Sequence, residues 1–117
     1  MALQEQTAKL IDKLNEITQQ GKVSWEETAE GDTFLASVNK FVVTVSKADD
    51  RYPGYGFTIA DQAGRLLEEA RVEDRGPYEG EDPYYSQLAS LYHLARRRAL
   101  HVDEALSDLL SSLEQIH

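Results

Sequence analysis

The chain has 117 residues, 41% hydrophobic and 28% charged, the size and composition of one compact domain, so 1–117 is expected to fold as a single domain. Its lack of cysteine excludes disulfides, thiolate metal centres and thiol catalysis. Twelve Lys and Arg against twenty-one Asp and Glu leave a net charge of -9, which repels phosphates and anionic membranes and argues against direct nucleic-acid binding.

Leu3, Thr7, Leu10, Leu14 and Ile17, with Ile11 beside them, recur at steps of three and four and predict a helix over 2–20, closed by Gly21. Glu5, Asp12 and Glu16 interrupt any apolar stretch there, and no run anywhere in the sequence is long enough to span a bilayer. A cytoplasmic location is expected. Beyond Gly21 the period shortens to two: Val23 and Trp25 share one face of a predicted strand, with Trp25 expected to be buried against a helix. Strands over 33–38 and 41–46 follow, separated by the turn Asn39-Lys40. Pro53 and Gly54 predict a surface loop over 47–54. Tyr55, Phe57 and Ile59 alternate in a fourth strand, and Gly64 supplies the positive φ for a hairpin into a fifth over 65–72.

The polar stretch 73–82 is a loop with five acids and one arginine. Asp82-Pro83 suits the cap and first position of a helix reaching about Ala99, with arginines 96–98 in its last turn. His101 is a poor cap for a third helix, although Glu104 could complete half of a capping box. Leu106, Leu109, Leu110, Leu113 and Ile116 draw a strong amphipathic stripe. The expected fold is therefore α+β: an N-terminal helix, an antiparallel meander of about five strands, and two C-terminal helices packed on the sheet.

The three histidines, at 93, 101 and 117, lack the spacing that puts two imidazoles on one helical face, so neither a metal nor a cofactor is expected. No phosphate-binding or nucleophile motif is present, and no catalytic residue is assigned. Tyrosines cluster around the two polar loops. Tyr52, Tyr78 and Tyr84 are the candidate anchors for a protein partner, and Asp50, Glu79 and Glu81 the charges that would steer it.

The run 21–28 (GKVSWEET), Thr33-Phe34, the hairpin 61–65, the run 91–97 (LYHLARR) and the run 102–106 (VDEAL) resemble a recurrent type of small uncharacterised bacterial protein. In that type a lead helix precedes a short antiparallel β-meander and two closing helices. The resemblance covers most of the chain and implies a bacterial intracellular accessory or adaptor module. The leading expectation is a non-enzymatic protein–protein interaction module, contacting another protein or itself as a homodimer through its helices. One alternative is an acidic decoy for a basic nucleic-acid-binding cleft, motivated by segment 66–82, where seven acids and two arginines give -5. The other is a small enzyme of unknown substrate.

Overall fold

Residues 5–49, 53–73 and 85–116 are described by the computed structural model. Helix α1 (Glu5–Gln19) is followed by strands β1 (Glu26–Glu27), β2 (Thr33–Val38), β3 (Phe41–Asp49), β4 (Pro53–Asp61) and β5 (Leu66–Glu73), then by α2 (Tyr85–Ala99) and α3 (Val102–Glu114). The strands form one antiparallel sheet in the order β1-β2-β3-β4-β5, so the α+β meander expected from the alternation is the observed architecture.

Helix α1 stops as the sequence requires. Gly21 takes φ 74, its N–H donates to the Thr18 carbonyl, and the Lys22 N–H donates to the Ile17 carbonyl. This doubly bonded left-handed closure satisfies the terminal carbonyls. The strand expected around Val23 and Trp25 is shorter and later than its alternation implied, since only Glu26 and Glu27 pair with β2. Trp25 is buried all the same, because its indole N–H donates to Thr18 Oγ1 at 3.1 Å across the end of α1.

The loop expected over 47–54 is mostly strand. β3 runs on to Asp49, and β4 begins at Pro53, where a missing N–H is tolerated because the residue opens the strand. Gly54 serves close approach: a Cβ built there would lie 2.6 Å from the Val72 carbonyl oxygen. Asn39 (φ 57) and Gly64 (φ 87) turn their hairpins with positive φ.

One sheet face carries Phe34, Ala36, Val43, Val45, Phe57 and Val72 into a core completed by Leu88, Leu91, Tyr92 and Ala95 of α2 and by Ile11 and Leu14 of α1. Helix α2 lies across all five strands, and α1 packs on α2. Between the two helices, Asn15 Nδ2 donates to the Gln87 carbonyl at 3.0 Å. Helix α3 departs from the expected packing on the sheet: among the described elements it touches α2 alone. The Asp82-Pro83 start of α2 lies outside the described residues.

Candidate interaction surface

Helix α3 is amphipathic and buries no residue. Leu106 is 48% exposed, Leu109 56%, Leu110 62%, Leu113 55% and Ile116 70%. A stripe of this strength is normally turned inward, and five large apolar side chains in one exposed row make this the candidate contact surface of the described residues. Touching only α2 among the described elements, α3 projects from the rest of the fold.

The junction explains the projection. Helix α2 ends at Ala99, and His101 adopts φ 52, ψ 46, a left-handed residue that turns the chain before α3 starts. The capping box anticipated from Glu104 does not form: His101 makes no side-chain cap, since a capping residue needs extended backbone, and its Nδ1 lies 3.9 Å from Glu104 Oε1. The turn is held instead by Arg97, whose Nη2 stands 2.6 Å from Asp103 Oδ1. Arg98 Nη2 donates to the Gln19 carbonyl at 3.1 Å, placing a cation at the C-terminal end of α1. Two of the three arginines thus brace helix ends.

All six sequence-derived contact residues, Tyr52, Tyr78, Tyr84, Asp50, Glu79 and Glu81, lie outside the described residues. The segments that carry them leave one end of the sheet, where Ala48, Gly54 and Glu73 are neighbours in the ladder. At that end Tyr55, buried on β4, packs against Tyr85, Tyr92 and His93 of α2 at centroid separations of 5.4, 5.3 and 5.9 Å. The Tyr55 hydroxyl and His93 Nε2 are 3.3 Å apart. Tyr55 and Tyr85, which stand beside the two polar segments in sequence, are therefore part of the helix-to-sheet packing. Tyr92 is buried with its hydroxyl 3.5 Å from Asp32 Oδ1, and burial, followed by the Asp32 charge, pushes the phenol above its ordinary 10.0.

The opposite sheet face bears Leu35, Val42, Thr44, Thr58 and Ala60, all partly exposed, with no helix over it among the described residues. Thr44 and Thr58 share a hydroxyl hydrogen bond there. At the far hairpin, Asp61 Oδ1 accepts from the Ala63 and Arg65 amides and Oδ2 from the Arg65 guanidinium. These donors, the Arg65 amide first, hold the Asp61 carboxyl below its ordinary 3.8. An open groove beside it is lined by Lys40, Phe41, Asp61 and Leu67.

Among the described residues, no group of three or more His, Asp or Glu side chains is placed to hold a metal ion. No described helix is long and apolar enough to cross a membrane. The α3 stripe was visible in the sequence as amphipathicity and motivated an expected contact through the helices, but packing on the sheet was expected as well, because periodicity reports a face and not what covers it. In comparisons with known proteins, no family model matches the chain, and neither the curated proteins nor the solved structures contain a match.

Proposed function

We propose that this protein is a non-enzymatic protein–protein interaction module of a bacterial intracellular system, with α3 as its contact surface. The observation that carries the reading is the exposed row Leu106, Leu109, Leu110 and Leu113, with Ile116 just past the helix end, 48% to 70% accessible on a helix that contributes nothing to the core. Covering half-exposed leucines returns about 1 kcal/mol each, so the row supplies a driving force on the order of 5 kcal/mol from this side of a contact. An uncovered row of this kind favours an apolar docking partner over a purely electrostatic one.

The test compares the full chain with Leu109→Asp/Leu113→Asp as baits in the native cell, at low and high salt. A contact built on α3 is lost with the double variant and survives high ionic strength, because apolar burial is not screened. Capture that ignores the double variant and collapses with salt would instead support the acidic-decoy reading.

A further inference from the structure

We infer that the occupant of the α3 face is a second copy of this chain, its α3 laid antiparallel to the first; this rests on the interaction reading and names its partner. Val102, Leu106, Leu109, Leu113 and Ile116 follow one another at steps of four, three, four and three. That 3.5-residue repeat is the seam of a helix meeting another helix. The seam itself is uncharged; Ala105 and Ser112 flank one side, Leu110 and Asp103 the other, with Asp103 paired to Arg97, while Glu104 and Asp108 fall on the far face. A second copy therefore brings no like charge to the seam.

Orientation follows from the ends. The start of α3 adjoins Arg96, Arg97 and Arg98, with Arg97 bridged to Asp103. The other end carries Glu114 and no basic residue in the last turn, so this carboxylate sits at the helix end that repels it. A parallel pair would set arginines beside arginines and Glu114 beside Glu114. In an antiparallel pair with Leu106 against Leu109 of the second copy, Val102 meets Leu113, and Glu114 falls opposite His101 at the arginine-bearing end. Each acid then gains a helix N-terminus and cations. Helix α3 spans about 20 Å, which puts the paired surface at the small end of specific interfaces and makes the dimer reversible.

Sedimentation of the full chain should show a concentration-dependent rise toward twice the 13.2 kDa chain mass. Leu109→Asp should weaken the dimer at least about tenfold with the melting temperature held, since Leu109 is 56% exposed. The chain has no cysteine of its own, so Ala105→Cys/Ser112→Cys should give a covalent dimer on mild oxidation: in the antiparallel register each position faces the other, whereas a parallel pair turns both away. A single 13.2 kDa species up to millimolar concentration overturns the inference, as does a dimer indifferent to Leu109→Asp or a double-cysteine variant that fails to cross-link. If the chain stays monomeric yet captures a different protein through α3, the second copy is the wrong partner and the interaction reading stands.

Discussion

Trp25 donates its indole N–H to Thr18 Oγ1 at 3.1 Å, and both residues are buried, at 5% and 0% exposure. The bond joins the last turn of α1 to the segment entering β1, so the only tryptophan fastens the helix to the sheet by ring and by hydrogen bond.

Trp25→Ala should destabilise the fold by about 3–5 kcal/mol, and Thr18→Val, which strands the N–H, by about 1–3 kcal/mol. Urea unfolding followed by circular dichroism measures both. A cost below about 1 kcal/mol for Trp25→Ala would contradict its burial.

Tyr92 makes stability sensitive to alkali. Its folded pKa is raised above the ordinary 10.0, so its contribution is complete below pH 10 and falls away as pH rises through the folded value. Unfolding midpoints taken from neutral pH to above pH 10 should decline, and Tyr92→Phe should decline less, because it has no proton to lose. Equal slopes for the two proteins would remove Tyr92 as the cause.

Two glycines should differ in kind. At Gly54 an added Cβ would meet the Val72 carbonyl at 2.6 Å, so Gly54→Ala must displace backbone and should cost about 1–3 kcal/mol. At Gly64 nothing lies within 4 Å, and Gly64→Ala carries only the cost of φ 87, about 1 kcal/mol. Gly64→Asn should recover part of that loss, while no such residue helps at Gly54. Thermal melts of the three variants decide it.

Stability and contact should separate along the chain. Leu91, fully buried in α2, should lose about 2–5 kcal/mol on replacement by alanine. Leu110→Ser on α3 should change the unfolding free energy by less than about 0.5 kcal/mol, since Leu110 is 62% exposed. A large loss at Leu110, measured on dilute monomer, would mean that α3 is covered within its own chain.

What the sequence revealed was set by local physics. The Gly21 stop, the 33–38 strand, the Asn39 turn and the Gly64 hairpin all depend on residues within a few positions of one another, and each is observed. Strand lengths were less legible. Lys47 to Asp49 and Gly54 look like loop by composition, but the ladder between β3 and β4 holds them in the sheet. Alternation put Tyr55 on a strand face, but its packing against Tyr85, Tyr92 and His93 depends on where α2 crosses the strands, a long-range relationship that no spacing along the chain encodes. The direction of α3 was hidden for a related reason: it is decided at His101, and although histidine enters the left-handed region more readily than most residues, that preference does not dictate it.

β5 forms one border of the sheet, and its register slips between Ile59 and Ala60, leaving Leu66 and Leu67 both outside at 57% and 51% exposure. Farther along that border Glu69, Arg71 and Glu73 alternate, with Glu68 beside them, so a neighbouring molecule seeking to extend the sheet meets mostly carboxylates and an irregular ladder. This protection is colloidal and depends on ionisation. As the solution nears the isoelectric pH of about 4.7, mutual repulsion vanishes while the leucines stay exposed. Turbidity should peak there and clear again on return to neutral pH, which sets the buffer range in which the protein stays dispersed.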